Sequence, residues 1–288
     1  MKTPLVLSNR GTLFLFCISL LINLNSCTEE RGNSNDSPAI EEGGTEPAAF
    51  RMRVDSSLAV EPPTAEIGKD SMLFRTPDGE PAPYGIESAL ILLETKGDRR
   101  GTLTHIFKEY GRYERVVDST MPVQDRGPNF PNHSLAITTP EFTGTYNFLT
   151  QYGWQMPMNY SFYLDSAESK TMSLTEYTLK QIEAKKIGDT TINGYQTQVF
   201  RTENEVEINT IWMWRGVPIR LHTFLPLDDL EFRLEPVSIE INPDIPDDAF
   251  TFPKGVHIQK RNSPPPPGVI PPPMPGPAPS GDTGNSSN

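Results

Sequence analysis

Between residues 87 and 260 the chain is a succession of short segments in which aliphatic, aromatic and Thr residues alternate with polar ones, separated by Gly, Pro and charged turns. ESALILLETK (87–96) is almost continuously apolar, GTLTHIFKEY (101–110) follows after GDRR, and GRYERVVDST (111–120) comes directly behind it. HSLAITT (133–139), GTYNFLTQY (144–152), YQTQVFRTE (195–203), EINTIWMW (207–214), PIRLHTFL (218–225), EFRLEPVSIEI (231–241) and GVHIQK (255–260) continue the pattern. Ten such runs on short links predict an antiparallel sheet large enough to curl. The expected fold is mostly β: a curved antiparallel sheet or incomplete half-barrel with one or two short helices, flanked by disordered tails.

Two joints in this pattern have defined chemistry. Asn193-Gly194 suits the two φ > 0 positions of a type I′ turn between KIGDTT and YQTQVF. In WRGVP, Gly216 suits a turn, and Pro218 belongs at the start of a strand or on an edge. One helix is predicted from its start, where Ser173 and Glu176 fit a capping box and Leu174, Tyr177, Thr178 and Ile182 share a face. PDDAF (246–250) predicts a short turn capped by Asp247.

The segments around this domain have different compositions. Lys2 and Arg10 precede an apolar run from Leu13 to Leu24, followed by Ser26 and Cys27, the layout of a secretory signal. A membrane-spanning helix needs about 20 apolar residues, more than this run supplies. Leu24-Asn25-Ser26-Cys27 resembles the lipobox of bacterial lipoproteins, with Asn25 in place of the usual small residue. That resemblance implies cleavage over residues 1–26 and a lipidated Cys27, whose acyl chains would anchor the protein stably. Cys17, the other cysteine, would leave with the signal, so no disulfide framework is available and the core must supply the stability.

Residues 27–67 are acidic, carry no apolar period and read as a disordered tether. Residues 68–260 form the folded domain. In the tail, 261–288, ten prolines fall within 264–279, which disfavours helix and sheet and leaves extended polyproline conformation. Its PxxP spacings suit an aromatic groove on a protein partner, or a stiff unbound spacer. The net charge of −12 repels polyanions and argues against nucleic acid as a partner.

Catalytic motifs are missing from the sequence. His105, His133, His222 and His257 lie on separate segments without metal-ligand spacing, and there is no GxSxG or Walker loop. Asp228-Asp229 and Asp247-Asp248 sit in turn-like contexts that favour capping and solvation. The expectation is a non-enzyme with no metal and no cofactor.

GTLTHIFKEYGRYER (101–115), KIGDTTINGYQTQVF (186–200), TIWMWRGVPIRLHT (210–223) and IPDDAFTFPKGVHI (245–258) together resemble the LolA/LolB-like superfamily of periplasmic proteins, and secreted domains of unknown function near it. The resemblance implies an incomplete barrel whose concave face holds acyl chains under a helix. Independently, EINTIWMW places Ile208, Thr210, Trp212 and Trp214 on one face and Ile211 and Met213 on the other, so both faces are apolar. The groove candidates are therefore Trp212, Trp214, Ile211, Met213, Leu90, Leu92 and Phe107, with core filling as the other reading. Trp154, Met156 and Met158 in GWQMPMNYSFYL (153–164) are candidates for a lid, or for a packed loop. The expected location is the bacterial outer membrane, at its periplasmic face or on the cell surface. The expected partners are the membrane through the anchor, a lipid or acyl ligand, and a protein for the tail.

Overall fold

The structure is a computed structural model that describes residues 74–79, 82–123, 131–158 and 174–262. Cys27, the tether and the Pro-rich stretch lie outside the described residues, as does Ser173 of the expected capping box. None of the described helices is long and apolar enough to cross a membrane.

Twelve strands form one sheet: β1 (Ala89–Gly97), β2 (Arg99–Lys108), β3 (Tyr113–Pro122), β4 (Asn132–Thr138), β5 (Phe142–Asn147), β6 (Tyr152–Pro157), β7 (Lys185–Ile192), β8 (Tyr195–Glu203), β9 (Ile208–Trp214), β10 (Val217–Leu225), β11 (Leu230–Ile241) and β12 (Ile258–Lys260). Their spatial order is β12-β6-β5-β4-β3-β2-β1-β11-β10-β9-β8-β7, an open curved sheet with β7 and β12 at its edges. Two antiparallel meanders, β1–β6 and β7–β11, are joined where β1 pairs with β11. The Asn193-Gly194 turn has φ of 50° and 84°, as a type I′ hairpin requires, and Arg215-Gly216 repeats the geometry at 48° and 82°. From the first of these tips, Asn193 Nδ2 donates to the Pro236 carbonyl of β11 at 3.3 Å.

Three local expectations are corrected. The run 144–152 is two strands: Asn147 Oδ1 accepts from the amides of Leu149 and Thr150, closing an Asx turn that ends β5 and starts β6. β12 pairs with β6 in parallel, because the chain reaches it by crossing the sheet after β11 and not through a hairpin. In the 3-10 turn Asp247–Phe250, Pro246 occupies the cap position and Asp247 instead pairs with Lys108 at 2.5 Å.

Strand alternation separates two apolar clusters. On the inner face Ile91, Leu93, Leu103, Phe107, Ile211, Leu221 and Leu234 pack with Tyr84, Trp214 and Leu179. Leu179 belongs to α1 (Leu174–Gln181), whose Thr175 donates to the Pro83 carbonyl at 2.7 Å. On the back, Leu90, Ile106, Leu135, Ile137 and Tyr146 are covered by Ala249, Phe250 and Phe252 of the C-terminal crossing segment. Arg115 Nη1 ties that segment down through the Ala249 carbonyl at 2.8 Å, and β12 completes the tie at the far edge. A half-open sheet thus buries both faces of β1–β4, which explains the near-continuous apolar run in β1.

Candidate functional site

Because directly paired residues share a face, the register lays out the inner surface in rungs. One runs Phe107–Glu114–Thr138–Thr143–Met156, the next His105–Val116–Ala136–Thr145–Trp154, and a third Leu103–Asp118–Ser134–Asn147–Tyr152. On β4 and β5 these rungs carry only small or short side chains: Ser134, Ala136, Thr138, Thr143, Thr145 and Asn147. Larger ones flank them on β6 (Tyr152, Trp154, Met156) and on β3 (Glu114, Val116, Asp118), with Leu103, His105 and Phe107 of β2 beyond. The result is a trough about 10 Å wide, set by strand spacing, whose upper end is closed where Thr138, Thr143 and Met156 are 3 %, 2 % and 3 % exposed. Ala136, Thr145 and Trp154 along its middle are half-buried, whereas the β2 wall is closed.

A polar cluster sits on that β2 wall. Glu114 Oε1 accepts from the Tyr84 hydroxyl at 2.5 Å and meets His105 Nε2 at 2.6 Å. The three residues are 1 %, 5 % and 4 % exposed for Tyr84, Glu114 and His105. A carboxylate so deeply placed needs such partners, since burying a charge unpaired is strongly unfavourable. The cluster also fixes a strap. Tyr84 N donates to the Tyr110 carbonyl and Gly85 N to the Arg215 carbonyl, so residues 82–88 bridge the β2–β3 and β9–β10 turns and α1. Gly111, at φ 88°, makes this possible, because a Cβ there would stand 2.4 Å from the Tyr84 ring. With its members buried beneath aromatic rings, the cluster positions the strap over the upper end of the inner face.

At the lower end, near the β1–β2 turn, a cavity with room for about one water is lined by Thr95, Arg99, Asp118 and Thr120 on one side and Leu103, Phe232 and Leu234 on the other. Arg99 Nη2 donates to Thr120 Oγ1 at 3.0 Å, and Asn132 Nδ2 to Asp118 Oδ2 at 2.6 Å. Burial pushes the Asp118 carboxyl above its ordinary range. The Asn132 hydrogen bond, Thr120 and the positive charge of Arg99 oppose that rise.

The structure disperses the groove candidates. Ile211, Met213, Trp214 and Phe107 belong to the inner cluster, with Trp214 against the Tyr195 ring at 4.5 Å. Trp212, paired with Arg220, has that guanidinium over its ring at 4.7 Å and packs only partly against the cluster. Leu90 lies in the back cluster, and Leu92, two residues along, shares its face. Among the lid candidates, Trp154 and Met156 are strand residues on the inner face, and Met158 follows the strand with its amide bonded to the Glu141 carbonyl. Cys27 lies outside the described residues.

Sequence reasoning missed Tyr84, Glu114 and Asp118, because nothing local marks an inward-facing acid in an otherwise alternating strand. The available signal was Glu114-x-Val116-x-Asp118 on the apolar parity of β3. Of the histidines, His105 is buried on Glu114, His133 stacks on Phe148 at 4.4 Å, and His222 faces Glu231 at 3.2 Å. Among the described residues no group of three or more His, Cys, Asp or Glu is placed to hold a metal ion.

No family model matches the sequence, and no curated protein matches it. Solved structures that resemble the fold include an uncharacterized conserved protein from Thermus thermophilus, at 11 % identity and TM-score 0.39, covering 61 % of this chain and 91 % of that one. Another is the MucA/MucB complex of Pseudomonas aeruginosa, at 10 % identity and TM-score 0.33, covering 59 % of this chain and 57 % of the matched one. A third is a "putative outer membrane lipoprotein-sorting protein domain" from Vibrio parahaemolyticus, at 10 % identity and TM-score 0.26, covering 57 % and 89 %. These similarities are too low to carry an argument about ligand or partner.

Proposed function

We propose that this is a lipid-anchored protein of the bacterial envelope, held at the outer membrane through Cys27, whose domain binds an acyl chain along the inner face of its open sheet. The observation that carries the reading is the trough of small side chains on β4 and β5 between the half-buried Trp154 and the closed core. A core-forming sheet fills its concave side with large residues. Here two adjacent strands place Ser, Ala, Thr and Asn there instead, beside a half-buried Trp. Each methylene buried in such a trough contributes about 0.8 kcal/mol, so eight of them supply roughly 6 kcal/mol before the losses of association. No step of this role needs a nucleophile or a metal.

The test is lipid extraction from the full chain purified from bacterial membranes, mass spectrometry of the noncovalent fraction, and titration of the stripped protein with a fluorescent polyene fatty acid. Near-stoichiometric acyl lipid and saturable fatty-acid binding are expected. A protein that carries no lipid and binds no fatty acid overturns the proposal.

A further inference from the structure

We infer that the cavity at the lower end of the inner face is a subsite for a neutral hydroxyl group, carried on the polar end of the ligand whose chain lies in the trough. This rests on the acyl-chain reading above and specifies the ligand class: a neutral hydroxyl-bearing amphiphile of the acylglycerol kind.

Two polar atoms on the cavity wall are buried without a partner. Thr95 is 3 % exposed and Asp118 8 %, and neither Thr95 Oγ1 nor Asp118 Oδ1 has a hydrogen-bond partner of normal geometry. Leaving such atoms unsatisfied is unfavourable. Both residues line the same cavity. The register explains why space exists there. Gly101 stands between Thr95 and Thr120 on one rung and contributes no side chain. A Cβ at Gly101 would meet the Ser119 carbonyl at 2.0 Å, so this position of the rung admits no side chain.

The charges select the guest. A phosphate or carboxylate would meet the Asp118 carboxylate, and an ammonium would meet the Arg99 guanidinium beside it. One hydroxyl satisfies both open atoms, donating its proton to Asp118 Oδ1 while accepting one from Thr95 Oγ1. Asp118 occupies the rung Leu103–Asp118–Ser134, so the subsite adjoins the lower end of the trough through the Asp118–Ser134 pair. The cavity accommodates a hydroxyl and little more, which places the rest of the polar end outside and the chain along the small residues of β4 and β5.

The experiment compares 1-monooleoylglycerol, methyl oleate and glycerol, each competing against a bound fluorescent fatty acid on the full chain, in wild type, Thr95→Val and Thr95→Ser. Wild type is expected to bind monooleoylglycerol about tenfold more tightly than methyl oleate, the worth of one or two net hydrogen bonds. Glycerol alone is expected not to compete. Thr95→Val should bring monooleoylglycerol down to the level of methyl oleate, leave methyl oleate unchanged and keep or raise the melting temperature, while Thr95→Ser restores the preference. Equal binding of the two esters by wild type, an unchanged preference in Thr95→Val, or competition by glycerol alone overturns the hydroxyl subsite while leaving the acyl site standing. Failure of both esters to compete overturns the acyl site and the subsite together.

Discussion

Replacing Glu114 by Leu tests how the strap is held. Glu114 Oε1 is the common acceptor for the Tyr84 hydroxyl at 2.5 Å and His105 Nε2 at 2.6 Å, within a region 1–5 % exposed. Leucine fills a similar volume but accepts nothing, so two buried donors lose this acceptor at about 1–3 kcal/mol each, roughly 2–6 kcal/mol in all. For a domain of this size that corresponds to a fall in melting temperature of about 5–20 °C. Glu114→Gln keeps an acceptor oxygen and should lose markedly less. In a double-mutant cycle, adding Tyr84→Phe to Glu114→Leu should recover part of the loss, because it removes one of the two donors that lost this acceptor. Thermal unfolding and urea titration of the four proteins of the cycle and of Glu114→Gln measure this. A Glu114→Leu loss below about 1 kcal/mol, or strict additivity with Tyr84→Phe, would refute the view that this carboxylate locks the strap to the sheet.

Other perturbations reach separate parts of the account. Phe250→Ala removes the buried ring that fixes the crossing segment to the back face and should destabilise by about 3–5 kcal/mol, with faster amide exchange across 245–261 than elsewhere. Burial raises the native pKa of Asp118 above its unfolded value of about 3.9. The native state therefore takes up this proton before the unfolded chain does as pH falls, and the penalty of the charged carboxylate is present at neutral pH and relieved in acid. Asp118→Asn should accordingly raise the melting temperature at pH 7 relative to wild type, with the gain shrinking as pH falls toward about 4; a gain that grows in acid contradicts this. Thr145→Trp fills the middle of the trough from the floor and should abolish fatty-acid binding at least tenfold while shifting the melting temperature by only a few degrees; retained binding argues against the trough.

The strands and their turns were legible because alternation and Asn-Gly chemistry are local. β1, β2, β3 and β8–β11 begin and end within two residues of the apolar runs that mark them. Asn147 hid a turn inside an apolar segment, since its effect depends on a side chain bonding to Leu149 and Thr150 amides and not on hydrophobic period. The site was harder to read. Parity separates Ile211 from Trp212, but only the cross-strand register tells which parity faces inward, and it sends Leu90 to the back face and Trp154 to the inner one. The trough is invisible strand by strand, because Ser134, Ala136 and Thr145 become a feature only when β4 and β5 lie side by side. Tyr84 meets Glu114 across 30 residues, a contact that no motif spans.

The central claim is that an acyl chain lies against Trp154. The most direct measurement labels the full chain with 5-fluorotryptophan, assigns the resonances with single Trp→Phe variants, and titrates the stripped protein with oleate. The Trp154 resonance should shift and saturate, while that of Trp212, shielded by Arg220, stays in place. A Trp154 resonance unmoved at saturating oleate, or a shift confined to Trp212, would contradict that claim.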